Sequence, residues 1–257
     1  ALALSARIQE EIMYAALSTS CALAKEHGPH DSFADTRLAQ GVLPFELWGT
    51  EVEDMQRWNE LRADIQKYGV RNSLTIAIAP TATIASITGV YECVEPQVSN
   101  LFKRETLSGD FLQINHYLID KLKSCGLWTE QIRQKIKINE GSIQGIEEIP
   151  KEIQEVYRTA WELPQKALID MAAARGPFID QAQSLNLFMA SPTIGKLSSM
   201  YAYAWKKGIK TTYYLRSRPA TKIAKATIST QTTSDAYTDE EALACSLENP
   251  ESCEACQ

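Results

Sequence analysis

Apolar residues recur at helical spacing along most of this chain. Where that period breaks, short runs of small and β-branched residues take its place. Ile8, Ile12, Ala15, Ala16 and Leu23 predict an opening helix that reaches about residue 26, where His27-Gly28-Pro29 stops it. A loop rich in Gly, Pro and His follows as far as Gly49. Asp54–Tyr68 then predicts a second amphipathic helix, with Met55, Trp58, Leu61, Ile65 and Tyr68 on one stripe and Gly69 at its end. Asn72–Ala79, bounded by Pro80, has the composition of a buried strand. Further helices are expected near 110–124, 129–137, 151–158, 164–174 and 193–207, and a second strand at Ile209–Leu215. From Pro219 onward no periodicity is sustained, which predicts a flexible tail over 219–257 after a folded region at 1–218. Helices set between isolated buried strands imply α/β architecture. Two or three strands are too few to close a sheet, so something else is expected to complete it.

Composition narrows the function classes. With 257 residues, 44% of them hydrophobic, the chain can bury a sizeable core. Its 32 acidic and 26 basic residues give a net charge of −6, which argues against a nucleic-acid partner or an anionic membrane surface. Lys222 and Lys225 face seven carboxylates between residues 220 and 257, so most of the excess negative charge lies on the tail. No apolar run is long enough to span a bilayer, and the opening residues run straight into Ile8-Gln9-Glu10-Glu11 rather than forming a secretory signal. The expected compartment is the cytoplasm. Cys21, Cys93 and Cys125 are scattered, whereas Cys245, Cys253 and Cys256 cluster at the end, unlike a secreted disulfide scaffold.

Cys253 and Cys256 form a C-x-x-C pair in a polar setting. A metal site would need further ligands. No histidine lies beyond His116 and Cys245 could add only a third ligand, so no metal is expected. An inert pair on a loose end remains open, but a dithiol shuttle fits the access, proximity and mobility of the two thiols better. Across the 36 positions from Ser217 to Cys253 a flexible chain reaches roughly 33 Å, enough to visit a site on the parent domain or a neighbour. Tyr213-Tyr214 suits a strand, where adjacent rings would point to opposite faces. If the two rings stack, the backbone must depart from extended geometry, and stacked phenols could pass a radical along. Ala79–Ala85 follows the first predicted strand with a small, hydroxyl-bearing turn. Such a turn can hold phosphate through backbone N–H groups, or can simply cap a helix.

Taken together, these features resemble the C-terminal portion of the large, catalytic subunit of class I ribonucleotide reductase. The resemblance rests on Asn72–Glu95 (NSLTIAIAPTATIASITGVYECVE), Ser99–Asp110 (SNLFKRETLSGD), Gly176–Asn186 (GPFIDQAQSLN), Gly208–Pro219 (GIKTTYYLRSRP) and Cys245–Cys256 (CSLENPESCEAC), in the family's order. It implies the C-terminal half of a ten-stranded α/β barrel that reduces ribonucleoside diphosphates to deoxyribonucleoside diphosphates. It also implies that Pro80, Thr81, Ala82, Thr83 and Ile84 bind the substrate diphosphate, that Tyr213 and Tyr214 relay a radical, and that Cys253 and Cys256 re-reduce the active-site disulfide. Ile84 departs from members that carry a hydroxyl there. The implied partners are a radical-generating small (beta) subunit, which holds the radical cofactor, and thioredoxin or glutaredoxin as reductant. No cofactor is expected on this chain itself.

The family's N-x-C-x-E arrangement around the radical-forming cysteine does not occur in this sequence. Cys93 has Glu95 two residues on, but Tyr91 stands in the Asn place, and Cys93 is expected to be a small core residue. Cys21 and Cys125 are expected to be structural, and Cys245 gains no redox role. The chain is thus expected to act with an N-terminal part of the catalytic subunit that supplies the cysteine. The rival expectations are a non-catalytic module that completes the barrel or binds the small subunit, and a free-standing thiol–disulfide carrier.

Overall fold

A computed structural model describes residues 1–106 and 109–218, and the side chains of residues 102–113 are left out of the description. The first layer is helical. α1 (Leu2–His27) packs against α2 (Met55–Tyr68) and α7 (Gln165–Arg175), with a short 3₁₀ turn at Pro44–Trp48 seated nearby. Met13, Leu17, Phe45, Trp58, Ile65 and Phe178 form the apolar centre of this layer. α2 turns in the face that its sequence predicts. The expected stripe of α1 does not. Ile8 and Ile12 are about half exposed, while Met13, Leu17, Cys21 and Ala24 are buried. This helix is apolar on two sides, and Trp58 selects the side that carries Glu10, whose Oε1 accepts from the indole Nε1 at 3.0 Å.

After α2 come the short α3 (Ala82–Thr88) and then a hairpin of β1 (Leu101–Thr106) and β2 (Gly109–Ile114). The hairpin is antiparallel from Leu101↔Ile114 to Thr106↔Gly109. α4 (His116–Ser124), α5 (Glu130–Ile138) and α6 (Lys151–Val156) follow and share a core centred on Leu122, Ile136, Ile143 and Ile149. Gly141 ties that core to the hairpin. Its φ is +87°, and a Cβ there would lie 1.9 Å from Ser99 Oγ, so only glycine fits. The helix expected over 110–124 is therefore two elements. Asn115 caps α4 by accepting from Leu118 N, and the residues before it pair as β2.

β3 (Leu187–Met189), α8 (Ile194–Lys206) and β4 (Leu215–Ser217) complete the described chain. β3 and β4 are parallel, in the register Leu187↔Leu215. On the other side of the same run, Gln181 N donates to Ile76 O, Ile78 N to Ala182 O and Ser184 N to Ile78 O, giving a parallel bridge Ile78↔Gln183. Three parallel runs thus lie side by side: 76–78, 181–189 and 213–217. The first is not the buried strand expected at 72–79. Only its end pairs, at Ile78↔Gln183; Leu74 is exposed and Ile76 buried. The strand expected at Ile209–Leu215 lies later, at β4, for a reason visible at the tyrosines.

Candidate active site

Pro80 leaves the end of the first parallel run, and the chain turns at once into α3. Thr81 makes that turn with φ 56° and ψ 18°, the left-handed region in which a non-glycine residue is strained. Its side chain makes no cap hydrogen bond, and the first turn of α3 leaves the N–H groups of Ala82, Thr83 and Ile84 without helical carbonyls to bond. Residues Thr81–Ile84 are exposed. Local structure alone gives a strained, donor-rich turn at the edge of the parallel runs.

Cys93 lies against this loop rather than in a core, contrary to its expected role. It is half-buried with φ 70°; its Sγ is 3.7 Å from Pro80 O and accepts from Asn186 Nδ2 at 3.2 Å. Burial, and after it the charges of Glu95 and Glu92, push its thiol pKa upward, so it is held as a thiol. Asn186 also donates from Nδ2 to Glu95 Oε2 (2.9 Å) and from its backbone N to Glu95 Oε1 (3.2 Å). Tyr91, two residues before Cys93, accepts from Val98 N at 3.2 Å, and burial lifts its phenol to about 12. Cys21 is buried as expected, but Cys125 is exposed at the end of α4.

The tyrosine pair explains the displaced strand. Tyr213 N donates to Leu185 O, while Leu187 N donates to Tyr214 O. In a regular parallel ladder one residue would make both bonds. Here two residues share the work of one, which is a bulge. The bulge brings adjacent rings together instead of sending them to opposite faces. Their centroids are 4.1 Å apart with planes inclined at 50°, and Tyr213 Oη donates to Tyr214 Oη at 3.3 Å. That bond raises the Tyr213 pKa and keeps its phenol protonated. Arg216 lies 5.8 Å from the Tyr214 ring centre and 3.9 Å from Glu92, linking the pair electrostatically to the segment that carries Cys93.

A family description, "Ribonucleotide reductase, barrel domain", matches residues 1–215. The chain belongs to the ribonucleotide reductase family. It is 41% identical to the ribonucleoside-diphosphate reductase large chain of Schizosaccharomyces pombe, across 98% of this chain and 35% of that protein. It is 46% identical to the large subunit of Caenorhabditis elegans, across 88% of this chain and 29% of that one. Among solved structures, the Actinobacillus ureae class Id ribonucleotide reductase alpha subunit superposes with a TM-score of 0.63 at 29% identity, covering 85% of this chain and 34% of the other. The chain thus spans about a third of the length of the reductase subunits it matches. Its three parallel runs are a partial α/β barrel of this family.

The fold therefore gathers most of the residues that the sequence singles out. Pro80 contacts Cys93, Cys93 contacts Asn186, and Asn186 adjoins the backbone that holds Tyr213 and Tyr214. Cys245, Cys253 and Cys256 lie outside the described residues. Sequence reasoning noted Glu95 only for its spacing from Cys93 and gave it no role, and it missed Asn186 and Arg216, although all three fall within the stretches that carried the resemblance. Among the described residues no helix is long and apolar enough to cross a membrane.

Proposed function

We propose that this chain supplies the diphosphate-binding loop, the radical relay and the reducing thiols of a ribonucleoside-diphosphate reductase large subunit. The observation that carries the reading is the bulge at Tyr213-Tyr214, which brings two phenol oxygens within 3.3 Å of each other, joined through Asn186 and Cys93 to the donor-rich loop. A bulge that merely ended a strand would not need two adjacent oxidisable rings on the same side.

In this reading the N–H groups of Ala82, Thr83 and Ile84 and the hydroxyls of Thr81 and Thr83 receive the substrate diphosphate, with Pro80 fixing the entry of the chain into the loop. Ile84 contributes its amide only. The tyrosines exchange a hydrogen atom: one phenol loses a proton and an electron, its O–H bond breaks, and the neighbouring phenoxyl radical gains both. The relay has no net redox change and needs a radical-generating small subunit as its source. Substrate reduction consumes two electrons from a dithiol, releases the 2′-hydroxyl as water and leaves a disulfide. Cys253 and Cys256 reduce that disulfide by thiolate exchange and are themselves reduced by thioredoxin or glutaredoxin. The radical-forming cysteine comes from the part of the reductase that this sequence does not cover.

The test combines this chain with the remainder of a large subunit, the small subunit, ribonucleoside diphosphate and reductant. Deoxyribonucleoside diphosphate should form. Cys253→Ser or Cys256→Ser should give one turnover's worth of product and then stop under thioredoxin. Loss of the first turnover in the cysteine variants would remove the shuttle role, and absence of product with the native chain would sink the reading as a whole.

A further inference from the structure

Glu95 is a carboxylate to which neither the loop nor the tyrosine pair assigns a task. It is only 8% exposed, yet it is fully engaged, because both its oxygens accept from Asn186, itself 1% exposed. A buried carboxylate is costly unless donors or a cation compensate it. Here the donors are the backbone and side-chain N–H groups of Asn186, and a second buried ionic group, Arg175, feels the Glu95 charge without an ion pair to it. Burial lowers the pKa of its guanidinium and the charge of Glu95 opposes that fall. Arg175 is in turn oriented by Gln183 Oε1 and Ser5 Oγ.

Asn186 stands where the two arms of the site meet. Toward the loop, its Nδ2 reaches Cys93 Sγ, which lies against Pro80 O. Toward the tyrosines, its chain neighbours Leu185 and Leu187 make the two backbone bonds, of 2.7 and 2.9 Å, that define the bulge. Asn186 Oδ1 has no hydrogen-bond partner among the described residues. The orientation of the amide is therefore set by its Nδ2, which donates to Glu95 Oε2 and Cys93 Sγ, while the backbone N of the same residue holds the other Glu95 oxygen.

We infer that Glu95 is a positioning residue: through Asn186 it locks the Pro80–Ile84 loop and the Tyr213–Tyr214 bulge at one fixed separation. The inference rests on the reading that both arms serve one reaction. Each arm ends in a strained or irregular backbone, at Thr81 and at the bulge, and Asn186 is tied to a neighbour of each. Glu95 itself touches no reacting atom.

The test uses Glu95→Gln, Asn186→Asp and the double variant in the complete reductase with its small subunit. Glu95→Gln turns an NH2 toward a donor of Asn186, and Asn186→Asp sets two carboxylates face to face. Each single change should lower kcat by about a hundredfold, the scale of a ~1 Å misplacement of a reacting group. The double variant reverses the polarity of the side-chain bond, with the new amide donating and the new carboxylate accepting. It should recover at least tenfold over either single. A destabilising control is Asn100→Ala, a buried amide bonded to Gly141 O and Tyr157 O away from the site. It should lower Tm while leaving kcat per folded enzyme unchanged. Two outcomes would overturn the positioning role. One is native kcat and KM in Glu95→Gln while Tyr214→Phe is inactive. The other is activity in all three variants that falls only with the folded fraction, without recovery in the double. If Tyr214→Phe turned over like the native enzyme, the failure would lie with the radical reading beneath the inference.

Discussion

The packing around Trp58 and the cluster around Asn186 hold distant segments together by opposite means. At Trp58, α1, α2 and the Pro44–Trp48 turn meet through close aromatic and aliphatic contacts. Tyr14 and Phe45 approach the indole edge-on at 5.2 and 5.0 Å, and the one polar atom of the ring is matched to Glu10. At Asn186 almost every tie is a hydrogen bond: to a carboxylate, to a thiol, and between neighbouring backbone groups and the tyrosine bulge. The first region can lose shape only by opening a cavity. The second holds irregular backbone, at Thr81, Cys93 and the bulge, that apolar packing alone would not select. In the proposed reading, the first region contributes stability and the second holds the geometry that the reaction would need.

Substitutions should separate the two. The largest expected effect is at the tyrosines. Tyr213→Phe or Tyr214→Phe should abolish turnover in the assembled reductase while leaving diphosphate affinity and Tm near native, as equilibrium binding and thermal denaturation would check. Trp58→Ala should do the reverse. It should cost about 3–5 kcal/mol of stability, measured by denaturant titration, with kcat per folded molecule unchanged.

Tyr91 should cost less and only at high pH. Its folded pKa of about 12 lies above the ordinary 10.0. Its contribution is therefore complete below pH 10 and is lost as pH rises through 10 to 12, when the unfolded chain gains the phenolate first. A two-unit shift corresponds to at most about 3 kcal/mol, less for a partly exposed group. The alkaline fall in stability should be shallower in Tyr91→Phe. The smallest effect is Thr81→Gly, which relieves a left-handed residue and should raise stability by about 1 kcal/mol or less while weakening substrate binding through a looser loop.

Helices were legible in the sequence wherever a single apolar stripe existed, as in α2, α5 and α8. The pattern misled at α1, where Ile8 and Ile12 form a second apolar face and only the partner Trp58 decides which face turns inward. The β1–β2 hairpin and β3 went unread because runs of three to six residues give little period to detect. At the site, the loop and the tyrosines announced themselves by residue type. That stacked rings at Tyr213-Tyr214 would require an irregular backbone was legible, but not that they stack, because the bulge that brings them together depends on Leu185 and Leu187. The link between Glu95 and Asn186 was invisible for a similar reason: it joins residues 91 positions apart, and no local spacing encodes it.

Whether the tyrosine bulge carries a radical can be read by placing a more readily oxidised tyrosine analogue at position 214 of the assembled reductase. Electron paramagnetic resonance is then recorded after mixing with the small subunit and ribonucleoside diphosphate. A radical signal should appear on residue 214, formed at the expense of the small subunit's radical. It should be weakened when Glu95→Gln misplaces the pair. Deoxynucleotide formation with no radical ever detected at 214, and no loss of product in Tyr214→Phe, would contradict the relay.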